Sequence, residues 1–338
     1  MKKTLVAFSI ILGTVTSTLA QDDPAAFYKG KVVRLVVGVG VGSGYDINAR
    51  VLARHLPKHI PGNPQVIVQN QPGAGSLTMT NQMYTAGPFD GTVIGASFNG
   101  LPTAPLLQPN GVRFDATKMN WVGSTNRETQ TMYVWHTAPM QKLDDLKTQE
   151  MIVGAQAPGS TQYDYPMLGK ALFDLKFKVI TGYEATPKIN LAMERGEVHG
   201  TLANWSTVKA INYQQYVDKQ IRILVAWGAR KHPELPDVPL IAELAKTTEQ
   251  KQALDLALAR LEFGRPFFMP PNVPAERVQA IRRAFDATLK DNEFLAEADR
   301  LKIEIDPVTG EQIAEMLANM AKTPADVVAR VRTAYEAR

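Results

Sequence analysis

The 338-residue chain has no cysteine. Disulfides, thiolate metal sites and cysteine nucleophiles are excluded, and so is a lipid attached to a cysteine behind a leader. Long apolar runs are scarce too. After the first twenty residues, no segment reaches the roughly 18 consecutive apolar residues of a membrane span. No stripe of Lys and Arg interleaved with aromatics occurs, so nucleic acid is not an expected partner. The usual signs of catalysis are also missing. There is no G-x-S-x-G elbow and no H-E-x-x-H. His55 and His59 stand four apart, but Pro57 breaks the turn between them, so they read as a solvated helix face rather than a zinc site. The glycine-rich stretch 38–44 fails as a dinucleotide fingerprint. One register needs glycine where Ser43 stands, the other needs it at Tyr45, and the following strand ends in Asn70 rather than an acid. The expectation is a protein with no catalytic residues, no cofactor and no metal.

What is present begins with a leader. Lys2 and Lys3 precede an apolar run over 5–12, and Thr18-Leu19-Ala20 offers small residues for cleavage, so residues 1–20 read as a signal peptide. The run is too short for an anchor and is diluted by Gly13, Thr14, Thr16, Ser17 and Thr18. The mature chain is expected to be exported to the periplasm without stable membrane insertion. Loss of the two lysines leaves 35 basic and 33 acidic side chains, a net charge of +2 against +4 for the whole chain. Apolar residues at 45% and charged residues at 21% mark a folded protein rather than a disordered one. The length suits two lobes better than one core.

Strand and helix patterns alternate. Val32 to Val37 is a continuous β-branched run of the kind buried in parallel sheets. The stretch 38–44 follows, then Ile47, Val51 and Leu52 at helical spacing. Residues 65–69 and 92–96 supply two more strands. The pattern restarts with strands at 151–155, 177–180 and 221–226, and a strand at 264–269 precedes helices at 275–289 and 310–320. This alternation predicts an α/β fold with parallel strands in two units.

In such folds ligands bind beyond the carboxyl ends of strands, where helix N-termini direct free N–H groups and a positive partial charge. Three loops fall there. The first contains Gly42, Ser43, Gly44, Tyr45 and Asp46, with Asp46 placed in the first helical turn. Tyr45 could pack on an aromatic acid or face solvent. The second contains Ala74, Gly75 and Ser76. The third runs from Ala157 through Ser160, Thr161 and Gln162. Singly each is plain turn chemistry; three in register at strand ends suggest an anion cradle. Arg127, near the crossing between units, could reach the ligand or lie at the surface, and the surface reading is favoured. Trp121, Trp135, Trp205 and Trp227 read as core or hinge packing.

Ordered blocks now add to this picture: "VIVQNQPGAGS" from Val66, "FDGTVIG" from Phe89, "GEVHG" from Gly196, and "ARKHPELPDVPLIAEL" from Ala229. Together they resemble the substrate-binding proteins of tripartite tricarboxylate transporters, the Bug family, over nearly all of the mature chain. The resemblance implies a two-lobed periplasmic-binding-protein type II fold, with a ligand cleft between two α/β domains. The expected division is 27–123 plus 263–338 for the first domain and 124–262 for the second. It implies capture of a mono-, di- or tricarboxylate or an aromatic acid by a monomer, and delivery to membrane transporter subunits. Delivery to a membrane receptor as a sensory partner is the first alternative, and an exported hydrolase the second and less favoured one. Carried over to this chain, the binding loops are 41–46, 74–76 and 160–162, with Tyr183 as an addition. Three departures touch the pocket: Gly38-Val39-Gly40 where the family often has proline, phenylalanine and alanine, Leu77 where an asparagine is common, and His199 where an aspartate is usual.

Overall fold

The computed structural model describes residues 23–156 and 158–336; the leader and Ala157 lie outside that range. Among the described residues, eleven strands form two sheets. β1 (Val32–Val37), β2 (Gln65–Asn70), β3 (Val93–Ala96) and β4 (Asn120–Ser124) belong to the first. The chain then crosses to β5 (Gln130–Trp135), β6 (Met151–Gly154), β7 (Phe177–Ile180), β8 (Gly200–Asn204) and β9 (Ile221–Trp227) in the second. It returns to the first sheet for β10 (Pro266–Met269) and β11 (Val308–Thr309). The strand orders are β11-β4-β10-β3-β1-β2 and β7-β6-β8-β5-β9. The result is two α/β lobes joined by segments 125–129, 263–265 and 321–324.

The β-branched run of β1 is central because it is apolar enough to be covered on both faces. It pairs in parallel with β2, Leu35 opposite Val68, and with β3, Leu35 opposite Ile94. The sheets are not wholly parallel, as the alternation suggested. β10 and β4 run antiparallel to their neighbours in the first sheet, and β5 does so in the second. These are the strands that carry the chain between lobes, so their direction follows from the crossing rather than from a βαβ unit.

Each lobe has its own apolar core. In the first, Leu35, Ile94, Phe267, Ile281 and Phe285 pack together. In the second, Tyr165 stacks on Trp227 with ring centroids 4.9 Å apart and planes at 12°. Each side chain of this size removed from water contributes about 1.5–3 kcal/mol. The last helix, Ala325–Glu336, does not stay with the first sheet. Val327, Val331 and Tyr335 join the second lobe's core, while Arg332 Nε donates to Leu106 O at 2.7 Å.

Candidate functional site

The first wall is built at the carboxyl ends of β1, β2 and β3. Ser43 caps the helix Gly44–His55, its Oγ accepting from the Asp46 N–H at 3.2 Å. Asp46 is buried and wholly engaged. Its Oδ2 accepts from Gly42 N at 2.8 Å and Arg50 Nε at 3.0 Å, and its Oδ1 accepts from Asn70 Nδ2 at 2.8 Å. Burial opposes its charge, but hydrogen bonds from Arg50, Gly42 and Asn70 outweigh that and hold the carboxyl below its ordinary value. Asp46 thus shapes the loop, in the first helical turn as its position suggested. Asn70, where a cofactor-binding fold would carry an acid, serves the same network.

The second loop is bent to an unusual degree. Ala74, Gly75 and Ser76 have φ of 45°, 62° and 74°, three successive left-handed residues. Ala74 and Gly75 are exposed, while Ser76 is fully buried. Its hydroxyl donates to Gly38 O at 3.1 Å and accepts from Phe98 N at 3.1 Å. Ser76 is therefore a pin joining three strand ends. A Cβ at residue 38 would stand 2.6 Å from Ser76 Oγ, so the departure to Gly38 and the close approach of Ser76 belong together.

Tyr45 faces neither bulk water nor an empty pocket. Its hydroxyl accepts from Asn99 N at 3.3 Å, and its ring meets Phe98 edge-on at 4.8 Å. The Arg265 guanidinium lies over its ring, 4.1 Å from the centroid. Burial raises the phenol above its ordinary pKa.

The second wall mirrors the first. Ser160 stands at the N-cap of the helix Thr161–Phe173. Thr161 Oγ1 accepts from Gln130 Nε2 at 2.7 Å. Gln162 is buried and ties three segments together: its Oε1 accepts from Gln156 N, just past β6, at 3.2 Å, and its Nε2 donates to Thr186 Oγ1 at a helix start and to Leu202 O within β8, each at 3.2 Å. Tyr183 is half-buried against Ile189 and Val198. His199 lies at the entry end of β8, away from the loops. Its Nδ1 accepts from Ile152 N at 3.1 Å, which needs the neutral ring, and burial lowers its pKa accordingly.

The walls meet at the crossing through two buried ion pairs that the sequence did not signal. Arg265 Nη1 lies 2.6 Å from Glu128 Oε1, and Glu128 Oε2 accepts from Ser206 Oγ of the second lobe at 3.3 Å. Arg260 Nη1 lies 3.0 Å from Asp164 Oδ2, and Asp164 also accepts from Gly159 N at 3.0 Å and Gln108 Nε2 at 3.4 Å. Arg127 is instead bound on the flank, by Glu262 at 3.0 Å and Asp306 at 2.9 Å.

The histidines do not form a solvated face. His55 pairs with Glu297 at 2.7 Å and His59 with Asp291 at 2.9 Å, which clamps the helix Asn292–Arg300 onto the first lobe. His55, Asp291 and Glu293 cluster closely, but the Lys58 ammonium sits 2.8 Å from Asp291 and 2.6 Å from Glu293, where a metal ion would need to be.

Comparison with known proteins places this architecture. The model of the "Tripartite tricarboxylate transporter family receptor" matches residues 48–332. The "UPF0065 protein in gbd 5'region" of Cupriavidus necator is 24% identical over 307 residues, covering 88% of this chain and 87% of that protein. A solute-binding protein from Polaromonas superimposes with a TM-score of 0.70 at 20% identity, covering 90% of this chain and 99% of that one. MatC of Rhodopseudomonas palustris, solved with bound malate, does so at 0.63 and 15% identity, covering 90% and 99%.

Proposed function

The chain belongs to the tripartite tricarboxylate transporter receptor family, and from that premise we propose that it captures a small carboxylate between its lobes in the periplasm and hands it to membrane transporter subunits. One observation carries this reading. Each lobe directs a helix N-terminus, at Ser43-Gly44 and at Ser160-Thr161, from the carboxyl ends of its parallel strands. Such ends favour an anion without requiring a metal. MatC, which has a similar fold, holds malate, and the acid class suits those ends.

The proposed cycle is capture on one lobe, followed by hinge closure at the three crossings 125–129, 263–265 and 321–324. Exposed Ala74 and Gly75 and the two caps face the ligand in this reading, while Asp46, Ser76 and Gln162 hold the loops. A dissociation constant near about 1 μM corresponds to roughly −8 kcal/mol. Charge-assisted hydrogen bonds contribute about 1.5–3 kcal/mol each, so about four or five suffice after ordering costs. Export rests on the leader, which lies outside the described residues. Among the described residues no helix is long and apolar enough to cross a membrane.

The test is a thermal-shift screen of the mature protein against acetate, benzoate, succinate, malate, adipate and citrate. At least one acid should raise the melting temperature in a concentration-dependent way. Ser43→Ala and Ser160→Ala should each weaken that response while the unliganded variants stay folded. A flat response to every acid would refute carboxylate capture.

A further inference from the structure

We infer that Arg265 is the ligand's anchoring cation, taking one carboxylate side-on at the N-terminus of the helix Gly44–His55; the inference rests on the carboxylate-capture reading and names a partner for that site. Arg265 stands on the return segment 263–265, where the two lobes meet. Its side chain is 11% exposed and salt-bridged to Glu128.

The hydrogen-bond geometry gives the direction. The guanidinium donates from Nη1 to Gly264 O at 3.0 Å, Glu128 Oε1 lies 2.6 Å from the same nitrogen, and the Tyr45 side chain also hydrogen-bonds the group. A guanidinium has five N–H groups, and Nη1 carries two of them. The Nε/Nη2 edge is the one that grips a carboxylate with two parallel bonds. Tyr45 supports the plane of the group from below at 4.1 Å, which fixes how that edge is presented. Nη2 is turned toward Gly44, the first residue of the helix, and would lie 3.6 Å from a Cβ there. The absence of a side chain at Gly44 keeps the space between guanidinium and helix end open. Phe98, 39% exposed and edge-on to Tyr45, offers an apolar neighbour for the rest of the ligand.

Glu128 does not defeat this role. It orients the guanidinium through Nη1, leaves the opposite edge available, and cancels the charge of Arg265 when no ligand is bound. The ligand class that fits is a small acid with at least one fully ionised carboxylate. The corresponding primary amide lacks the second acceptor oxygen and the charge.

Isothermal titration with the six acids of the screen, and with the primary amide of whichever binds best, tests the inference. Arg265→Gln alone would strand Glu128, so the variants are Gly44→Ala, which leaves the ion pair intact, and the neutral double variant Glu128→Gln with Arg265→Gln. For the best acid, Gly44→Ala should weaken binding at least tenfold and the double variant more, each with a cooperative melt. The amide should bind the parent at least tenfold more weakly than the acid. If an acid binds the parent and both variants bind it within twofold, the Arg265 assignment is overturned while carboxylate capture stands. If no acid binds the parent, both fall together.

Discussion

Ser76→Ala should destabilise the first lobe far more than its small size suggests. The serine is fully buried, and its hydroxyl makes two hydrogen bonds of 3.1 Å to backbone groups of two other segments. Removing it leaves Gly38 O and Phe98 N without their partner. An unmet buried group costs about 1–3 kcal/mol, so with both groups in the lower part of that range a loss of about 2–4 kcal/mol is expected from the pair. For lobes of this size, each 1 kcal/mol moves the melting temperature by about 2–4 °C, which predicts a fall of about 5–15 °C in a calorimetric scan. Ser76→Gly should melt above Ser76→Ala, because φ of 74° favours glycine. Thr85→Ala, at an exposed hydroxyl bonded within its own helix, should stay within about 0.5 kcal/mol. If Ser76→Ala melts within 2 °C of the parent, the pin described above does not hold the loops.

Arg260→Met leaves the buried Asp164 unpaired and should lose about 3–5 kcal/mol in urea titration, whereas Arg260→Met with Asp164→Leu should recover most of it; equal loss in both would overturn the pairing. The clamp on the helix Asn292–Arg300 should be acid-sensitive. Hydrogen bonds from Lys58 hold Asp291 well below the carboxylate range, and those from Arg54 and His55 lower Glu297. A depressed folded pKa gives stability that is complete above the unfolded value of about 4 and is lost as pH falls through the folded value. Melting temperature between pH 7 and pH 3 should therefore drop more steeply for the parent than for Asp291→Asn.

The sequence made much of the fold legible where apolar runs were continuous. β1, β2, β6, β7 and β10 are near the predicted positions because each is a short run rich in β-branched or aromatic residues, whichever way it is paired. β4, β5 and β8 were missed. Gln130, Thr131, Thr201 and Asn204 dilute the apolar character of β5 and β8, and β4 and β5 flank the crossing at 125–129. The loops were placed by their glycines and hydroxyls, but residue type could not tell a lip from a pin. Ser43 and Ser76 look alike in sequence. One caps a helix at the surface of the loop, and the other is sealed under it by three successive left-handed residues.

The charged residues of the crossing show why the remainder was hidden. Arg127 drew notice because it lies near the crossing, yet its acids come from Glu262 and Asp306 on the flank. Arg260 and Arg265, next to a helix end and a strand start, find Asp164 and Glu128 across 96 and 137 positions of chain. Periodicity carries no information about such pairs. Nor is stability an adequate reason for them, since a buried ion pair is often no better than apolar packing of equal volume. Their placement between the lobes supplies a reason that packing does not. Each pair is neutral, so the positive field at the loops comes from the two helix ends and from whichever guanidinium edge remains open. In the proposed reading, an acid entering that field meets donors already held in position by Glu128 and Tyr45, and does not bear the cost of ordering them.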